Sequence, residues 1–356
     1  MSGVTLEEQR YLCAPSLRSF NSELSQQVPQ WEKLEVCPAC QSRRLGRFAV
    51  IRHLPHSRCR DCGFTMANPI PSDEVLRAFY NSPFYANYRR LESRRIGHQR
   101  YFSMSMYTDM NRLAQWLGED KTISILDYGC GPGSFLAFLR ERCGFANVEG
   151  LEINRDSIDI GKDAYALSMA STVEELSRSS YDCVLLLEVL EHVPKPDRFL
   201  QEVLKLVKPG GRILLTTPAV DNLLGRFYPS RCPHYTAPSH VSLFTTKAMT
   251  SLLNRMGLEL ERLEIDDFVV QPEKLAAGLF YKMDFSSPKH DDDLVDVLYI
   301  PNALGRLLGK KPRRDVGRLR MRWAFARLCR VIDRVACRVG GLPNNDHLYV
   351  LARKAA

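Results

Sequence analysis

The sequence has 356 residues, of which 45% are hydrophobic and 25% are charged, and its formal net charge is +8. This composition is typical of a globular protein with room for one large domain or two smaller ones. No apolar run approaches the roughly 20 residues that span a bilayer, and the N-terminus lacks the basic start and apolar core of a signal peptide. We therefore expect a cytoplasmic protein, and contact with a membrane surface is the alternative.

The first predicted module follows residues 1–34, which are polar and predicted to be a flexible lead-in. Two C-x-x-C pairs, with eighteen residues between them, supply four thiols: Cys37, Cys40, Cys59 and Cys62. Tetrahedral zinc takes this ligand set, and four thiolates leave no position for water or substrate, so we expect structural zinc. A segment this short cannot build its own core, so the metal would supply the folding energy of a zinc-binding module over residues 35–66. Unrelated cysteines or redox pairs are the alternative, and His53 and His56 are expected to be polar loop residues.

Residues 67–108 are predicted to be a linker with helices on the substrate side. They begin with Asn68-Pro69-Ile70-Pro71, which predicts a rigid turn, and a short helix is expected from Ser72 to Tyr80. An aromatic stretch follows and ends at Tyr88. Most of these aromatic side chains are expected in the core, and a few are expected to line a substrate pocket.

The stretch from Ile123 to Ser134 predicts a ligand-binding corner of an open α/β sheet. Its first residues form a short apolar run, typical of a buried parallel strand, and Gly129, Gly131 and Gly133 follow before a helical pattern begins. Glycines allow positive φ angles and a close approach of the backbone to a ligand. Glu152 follows the last of these glycines by 19 residues, at the end of a predicted second strand, where an acidic residue accepts hydrogen bonds from a ribose.

Two details distinguish this corner from a dinucleotide site. The glycine spacing is G-x-G-x-G, and Asp127 lies two residues before the first glycine. A carboxylate at that position would repel a pyrophosphate and would tolerate the cationic amino-acid end of S-adenosylmethionine. The predicted fourth strand is the apolar run from Tyr181 to Leu187. Directly after it, Glu188, Glu191 and His192 form a Glu-x-x-Glu-His motif.

With these motifs the sequence resembles the class I S-adenosylmethionine-dependent methyltransferases, from about Asp109 to Thr217 and again from His240. Its core is similar to the ubiquinone-type O-methyltransferases. The zinc knuckle followed by Asn-Pro-x-Pro and a Tyr-rich stretch looks like a bacterial group that acts on sugars and other secondary metabolites. The resemblance implies S-adenosylmethionine as the cofactor, bound by eight residues: Asp127, Gly129, Cys130, Gly131, Gly133, Glu152, Ile153 and Glu188.

Alternating strands and helices predict an α/β fold. We expect a doubly wound, seven-stranded Rossmann-like sheet in a methyltransferase domain over residues 109–356, preceded by a small zinc ribbon. Lys208 to Gly211 predicts a helix stop and a turn before the fifth strand, Arg212 to Thr217. The family closes its sheet with an antiparallel hairpin, here the sixth strand from Leu258 to Asp267 and the seventh from His347 to Arg353. A helical insertion separates these two strands.

The insertion, residues 268–346, contains the segment with the largest net positive charge. Between Arg306 and Arg338 there are twelve Lys or Arg residues against two Asp residues, so this segment carries +10 and the rest of the chain −2. Residues 317–338 are predicted to form an amphipathic cationic helix. Its apolar stripe is expected to pack on the domain and to leave the arginines in solvent, and contact with an anionic membrane surface is the alternative. Nucleic acid is not an expected partner, because no RNA-recognition signature accompanies the arginines.

Methylation of a hydroxyl group needs a base whose pKa lies near the working pH, and histidine suits that role. Three histidines near the ends of predicted strands are candidates: His192, His234 and His240. The last two lie in a Pro-rich segment, Thr217 to Phe244, which predicts a lid or a substrate-binding loop. In some relatives the Glu-x-x-Glu-His positions hold a divalent ion, so Mg²⁺ at Glu188, Glu191 and His192 is an alternative.

These features predict a methyltransferase that acts on an oxygen of a small molecule or a saccharide, with a lipid-linked saccharide as one candidate. An RNA or protein methyltransferase, which would use the zinc module and the basic helix for recognition, is the first alternative. The sequence lacks an Asn-Pro-Pro-Tyr-type motif after Leu187, which counts against methylation of a base nitrogen. A non-catalytic scaffold is the second alternative, and the intact glycine loop and Glu152 count against it.

Overall fold

The computed structural model describes residues 31–51, 54–82, 110–222, 225–226, 232, 234–235, 238–266 and 347–356. The whole predicted insertion, with its basic helix, and the first 30 residues lie outside the described residues. Two β-sheets organise the described part of the chain.

In chain order the strands are β1 (Leu45–Ile51), β2 (Leu54–Cys59), β3 (Thr65–Ala67), β4 (Ile125–Tyr128), β5 (Val148–Leu151), β6 (Met169–Ala170), β7 (Tyr181–Leu187), β8 (Val207–Pro218), β9 (Ser242–Leu243), β10 (Leu258–Asp266) and β11 (His347–Lys354). The α-helices are α1 (Asp73–Tyr80), α2 (Met110–Leu117), α3 (Ser134–Cys143), α4 (Arg155–Tyr165), α5 (Pro196–Lys205) and α6 (Thr246–Arg255). Two short 3-10 turns are also present, Val173–Glu175 and Leu190–His192.

The larger sheet has seven strands in the order β10-β11-β8-β7-β4-β5-β6. The strands from β4 to β8 are parallel to one another, and β11 is antiparallel to both of its neighbours. This arrangement confirms the predicted seven-stranded sheet with its closing antiparallel hairpin. The strand order reverses at β4, and in open sheets of this kind ligands bind outside the carboxyl ends of the strands at such a point.

The core explains why the central strand β7 is almost uniformly apolar. Val184 and Leu186 belong to one hydrophobic cluster, which also contains side chains from α5 and α6. Leu185 and Leu187 belong to a second cluster, which contains side chains from α2, α3 and α4. Alternate residues of a strand point to opposite faces, so helices cover both faces of the sheet and both sets of side chains are buried.

The start of β8 differs from the prediction. Tyr181 of β7 pairs with Val207, and Cys183 pairs with Arg212, so the register jumps between these two pairs. Residues 208–211 therefore form a bulge inside a longer strand. The Pro-Gly-Gly sequence predicts a break in regular structure, and the structure accommodates that break without ending the strand.

The smaller sheet has the strand order β1-β2-β3-β9, and all of its pairs are antiparallel. Its first three strands belong to the predicted zinc ribbon, whereas β9 comes from the predicted lid segment of the methyltransferase domain. We call residues 37–67 the cysteine module. The predicted boundary between residues 66 and 67 falls inside β3.

The last residues of the predicted lead-in are attached to the turn that follows β3. Ile70 N donates a hydrogen bond of 2.8 Å to Glu32 O. Asn68 pairs with Leu34 in both directions, because its Oδ1 accepts from the backbone N at 2.9 Å and its Nδ2 donates to the backbone O at 3.0 Å. The end of the predicted lead-in, at Glu32 and Leu34, is thus hydrogen-bonded to this turn.

Candidate functional site

The glycine loop connects β4 to α3 and requires glycine for two reasons. Gly129, Gly131 and Gly133 have φ angles of 79°, 54° and 74°, which lie in the left-handed region that glycine adopts without strain. Space is also limited, because a Cβ atom on Gly129 would lie 2.9 Å from the side chain of Val189. A Cβ atom on Gly133 would lie 2.5 Å from the side chain of Leu167.

Glu152 lies immediately after β5 and faces this loop. Its side chain is buried, and its two carboxylate oxygens accept backbone hydrogen bonds of 2.8 Å from Gly131 N and Asn154 N. The neighbouring Ile153 is 72% exposed, which is unusual for so large an apolar side chain. A carboxylate held next to an exposed apolar side chain suits the ribose and the base of a nucleoside.

Asp127, the third residue of β4, is buried beneath the loop with 3% exposure. Burial raises the pKa of this carboxyl group to about 8, and the negative charge of Glu152 adds to the effect. A second anion near these two carboxyl groups would be repelled, whereas a cation would favour the ionised form of Asp127. The electrostatics of the pocket therefore fit a cationic ligand such as the amino-acid end of S-adenosylmethionine.

Cys130, also predicted to bind the donor, lies between two of the glycines. Its Sγ atom lies 3.9 Å from the sulfur of Met169 on β6. A Cβ atom on Gly150 would approach both sulfur atoms to 2.7 Å. The side chain of Cys130 therefore packs against the sheet, and its contribution to the pocket comes from the backbone. We call Asp127, the glycine loop of residues 129–133, Glu152 and Ile153 the donor pocket.

Glu188 follows β7 and has a positive φ angle of 57°. Its Oε2 atom lies 3.2 Å from Nε2 of His347, and its backbone N donates to Thr216 O at 3.0 Å. Burial by itself raises the pKa of Glu188, but the charge of His347 and the hydrogen bonds outweigh burial, so the pKa is lowered. The predicted contact between Glu188 and the donor stays a prediction, and its side chain is paired with a histidine.

The sequence did not indicate His347 as a site residue. It is the first residue of β11 and is 1% exposed. Because β11 runs antiparallel to β8, its first residue lies at the edge where the parallel strands end. The sequence analysis predicted that the last strand begins at His347 and closes the sheet in an antiparallel hairpin. That direction was the signal that could have placed His347 at this edge.

Glu191 and His192 lie in the 3-10 turn after Glu188. Glu191 is 1% exposed, and its Oε2 accepts a hydrogen bond of 2.9 Å from Thr217 Oγ1. Burial raises its pKa well above the ordinary value, and the charge of Glu188 adds to this shift. The pKa values of these two neighbouring carboxyl groups are therefore shifted in opposite directions.

The three predicted catalytic histidines lie close together. The ring centroids of His192 and His240 are 4.9 Å apart, and those of His234 and His347 are 5.1 Å apart. His192 Nδ1 donates to Ser239 O, and His240 Nδ1 donates to His234 O, each at 2.8 Å. In the neutral form, each of these two rings therefore carries a lone pair on Nε2. Burial lowers the pKa of His240 well below its ordinary value, and the charges of His192 and His234 add to the shift.

We call the six residues at this edge of the sheet the histidine cluster: Glu188, Glu191, His192, His234, His240 and His347. The metal alternative placed an ion at Glu188, Glu191 and His192. Within the histidine cluster, the possible ligand atoms that lie within 4.8 Å of one another belong to Glu191, His192 and His240. This difference follows from the left-handed backbone at Glu188, which takes its side chain towards His347.

The four cysteines of the module form a second compact group. The Sγ atoms of Cys37 and Cys62 are 3.6 Å apart, as are those of Cys40 and Cys59, and all four lie within 4.8 Å of one another. Four sulfur ligands at about 2.3 Å from a tetrahedral zinc ion would be separated by about 3.8 Å. A hydrogen bond from Cys37 lowers the pKa of Cys62 to about 5, so the cluster stabilises a thiolate, the form that binds metals.

Comparison with known proteins agrees with the geometry of the donor pocket. Residues 97–263 match the model of a family described as a methyltransferase domain. The match indicates a methyltransferase domain over these residues. This domain contains the donor pocket, and it also contains Glu188, Glu191, His192, His234 and His240 of the histidine cluster.

Curated relatives cover part of this methyltransferase domain. The ubiquinone biosynthesis O-methyltransferase of Alkalilimnicola ehrlichii is 37% identical over 118 residues, which are 30% of this chain and 47% of that protein. The protein of the same name from Shewanella pealeana is 31% identical over 134 residues, which are 33% of this chain and 56% of that protein. The chain thus spans about half the length of the curated relatives it matches.

Among solved structures, a SAM-dependent methyltransferase from Archaeoglobus fulgidus is 17% identical with a TM-score of 0.42. The likeness covers 69% of this chain and 92% of that chain. Within the described residues, none of the helices combines the length and the apolar composition that crossing a bilayer requires.

Proposed function

We propose that this protein transfers a methyl group from S-adenosylmethionine to a hydroxyl group of a small-molecule or saccharide acceptor. One observation carries the proposal: the sheet edge that holds the donor pocket also holds His240, whose Nδ1 donates to a backbone carbonyl. The Nε2 atom of the neutral ring is therefore an acceptor, as a general base requires.

The donor pocket would bind S-adenosylmethionine through its own residues. Glu152 would accept hydrogen bonds from the ribose hydroxyls, and Ile153 would pack on the base. Asp127 and the glycine loop would surround the cationic amino-acid end. When bound, S-adenosylmethionine supplies a methyl group on a positively charged sulfur, and positioning of the acceptor oxygen then provides much of the catalysis.

The histidine cluster would take the proton of the acceptor hydroxyl. As the oxygen attacks the methyl group, the O–H bond breaks and His240 Nε2 accepts the proton. The lowered pKa of His240 keeps its ring in the neutral form, which is the form that can accept a proton. A divalent cation at Glu191, His192 and His240 is the alternative use of the same atoms, and stimulation of turnover by Mg²⁺ would favour it.

The four cysteines fit a structural zinc ion, because their separations match the edges of a sulfur tetrahedron around zinc. Metal analysis of the purified protein should find one zinc per chain. A value near zero in protein purified without chelators would contradict this assignment.

The acceptor class follows from the sequence resemblance, and a saccharide, including a lipid-linked one, is our first candidate. The cytoplasmic location and the contact of residues 317–338 with an anionic membrane belong to the same proposal. Binding of the full-length chain to vesicles with and without anionic lipid would test the membrane contact.

Calorimetric titration with S-adenosylmethionine tests the proposed function. The wild-type chain should bind the donor, and Glu152→Gln should weaken binding at least tenfold, which is about 1.4 kcal/mol. Glu202→Gln is the matched control, because Glu202 is exposed and pairs with Lys205. Absence of binding to the wild-type chain would overturn the proposal. Incubation of metabolite extracts with isotope-labelled donor, followed by mass spectrometry, should then identify an O-methylated product.

A further inference from the structure

The cysteine module and the segment that carries His240 contribute strands to the same sheet. Thr65 of the module pairs with Leu243, and Met66 pairs with Ser242. The ladder continues one residue further, because Ala67 N donates to Val241 O at 2.8 Å. The residues directly after His240 therefore form a strand whose hydrogen-bonding partner belongs to the module.

The same segment is bonded on its other side to the histidine cluster. Val241 N donates to the backbone O of Glu191 at 2.8 Å. Ser242 Oγ donates to Val193 O at 2.6 Å. Residues 241 and 242 thus lie between β3 of the module and the 3-10 turn that carries Glu191 and His192, and they are linked to both by hydrogen bonds.

Arg58 of β2 makes a second connection to the predicted lid segment. Its Nη2 donates to Gly225 O at 2.7 Å and to the hydroxyl of Tyr235 at 2.8 Å, and its Nη1 donates to Arg226 O at 3.3 Å. Its Nε donates to Thr65 Oγ1 at 2.8 Å. The guanidinium carbon lies 3.6 Å from the centre of the Phe48 ring, which fixes the plane of the group.

Tyr235 transmits this connection to the histidines. Its side chain is fully buried and lies against Phe48 and His56 of the module, with ring centroids 5.9 Å and 6.4 Å away. The preceding residue, His234, supplies the carbonyl oxygen that accepts the hydrogen bond from His240 Nδ1. A displacement of Tyr235 would move that carbonyl and with it the acceptor that sets the tautomer of His240.

The cysteine knuckles are themselves attached to α6. Thr245, the N-cap of α6, donates from Oγ1 to Cys62 O at 2.6 Å. Arg255, the last residue of α6, donates from Nη1 to Pro38 O at 2.6 Å. Arg58 immediately precedes Cys59, so the metal-ligand geometry and the position of the guanidinium are set by the same short stretch of chain.

We infer that the cysteine module holds the segment 238–245, which carries His240, in position. We also infer that Arg58 is a positioning residue for His240. The inference rests on the proposed function only for the catalytic meaning of His240. Arg58 directs its hydrogen bonds to acceptors of this chain, so it does not serve as a phosphate-binding arginine for RNA. The module acts on the reaction through the placement of a base.

The test compares Arg58→Met with Arg60→Met in the full-length, zinc-loaded chain. Arg60 is the matched control, because it lies on the same hairpin with an exposed side chain. The spectroscopic readout is the Nδ1–H signal of His240 in protein with isotope-labelled histidine, assigned with His240→Gln. The second readout is hydrogen–deuterium exchange of the segment 238–245, with the segment 125–135 as reference.

We expect Arg58→Met to keep its zinc and to bind S-adenosylmethionine within twofold of the wild-type affinity. The Nδ1–H signal should broaden or disappear, and exchange of 238–245 should accelerate at least tenfold while 125–135 is unchanged. Arg60→Met should behave as the wild type, and Arg58→Lys should restore part of the signal. An Arg58→Met protein that matches Arg60→Met in both readouts would overturn the inference.

A second variant keeps the test decisive if Arg58→Met fails to fold. Tyr235→Phe removes one oxygen atom, and with it the 2.8 Å hydrogen bond from Arg58. It should produce the same loss of signal with a smaller acceleration of exchange, and an unchanged signal would contradict the inference. Failure of the proposed function is separable, because it would appear as absent donor binding in the wild-type chain and would leave both readouts measurable.

Discussion

The donor pocket and the histidine cluster lie at the same sheet edge but are built in different ways. The donor pocket comes from two consecutive strand-to-helix connections, at residues 127–133 and 152–154, whose backbone and side chains contact each other directly. The histidine cluster combines the turn after β7, the segment before β9 and the first residue of β11. The cysteine module is hydrogen-bonded to the second of these regions through the pairing of β3 with Val241 and β9. Binding of the donor and placement of the base should therefore respond to different mutations.

The largest expected effect is the loss of the module. Cys59→Ser combined with Cys62→Ser removes two ligands, and a structural zinc contributes up to about 10 kcal/mol to the folding of a small module. We expect loss of zinc and rapid hydrogen exchange across residues 37–67 and 238–245, while the donor affinity stays within about threefold. Cys143→Ser, at the end of α3, is the control. Loss of donor binding together with the module would show that the two regions are not separable.

The pH dependence of donor binding should report on Asp127 alone. Its pKa is about 8 in the free protein, and a cationic donor favours the ionised form. Affinity should therefore rise from pH 6 to pH 8, by at most about fiftyfold, because the ionised fraction changes by that factor. Asp127→Asn should remove the dependence, and calorimetry at several pH values measures it.

The same raised pKa sets the sign of a stability effect. The folded-state pKa of Asp127 exceeds the ordinary value of 3.8, so its contribution to stability is greatest at low pH and is lost as pH rises from about 4 to about 8. Thermal stabilisation by S-adenosylmethionine should accordingly increase with pH over the upper part of that range. A stabilisation that is constant between pH 6 and pH 8 would contradict the assignment.

Substitution in the glycine loop should weaken donor binding by a smaller factor. Gly129→Ala adds a Cβ atom 2.9 Å from Val189 at a φ of 79°, and we expect about a tenfold loss of affinity. Gly144→Ala is the matched control, because Gly144 also has a φ of 79° but has no neighbour within 4 Å of an added Cβ. Both variants should lose about 1 kcal/mol of stability from the backbone conformation, and Gly129→Ala alone should lose donor affinity.

The smallest expected effect concerns the pair of Glu188 and His347. His347→Leu leaves the carboxylate without its partner, and the free energy of unfolding should fall by about 2 kcal/mol. His347→Gln keeps a donor and should cost about half as much. Urea denaturation at pH 7 measures both values, and donor affinity should change less than twofold. Equal stability of the two variants would show that the hydrogen bond to Glu188 contributes nothing.

Local sequence patterns predicted those parts of the fold that depend on a single stretch of the chain. The observed β7 has the predicted bounds, Tyr181 to Leu187, because an uninterrupted apolar run must be buried on both faces. The glycine loop and Glu152 were predicted for the same reason, since conformation and spacing along one stretch define them. The position of the third strand of the domain, β6, was not predicted, because its two residues are too few to show a period.

Contacts between distant segments could not be predicted in the same way. His56 was expected in a polar loop, yet it lies in β2 with 1% exposure, where Tyr235 from the segment before β9 packs against it. The pairing of β3 with β9 joins two short segments that carry no strand signal of their own. His347 reaches the histidine cluster only because β11 inserts between β8 and β10.

The two residues of β9 also decide where this protein can be divided. A chain that begins at residue 109 would retain the donor pocket, but Val241 and Ser242 would become an open sheet edge with an unpaired carbonyl. Such edges pair readily with other chains, so the shortened protein should associate through this strand. A boundary that looks natural in the sequence would therefore create a new surface for aggregation beside the histidine cluster.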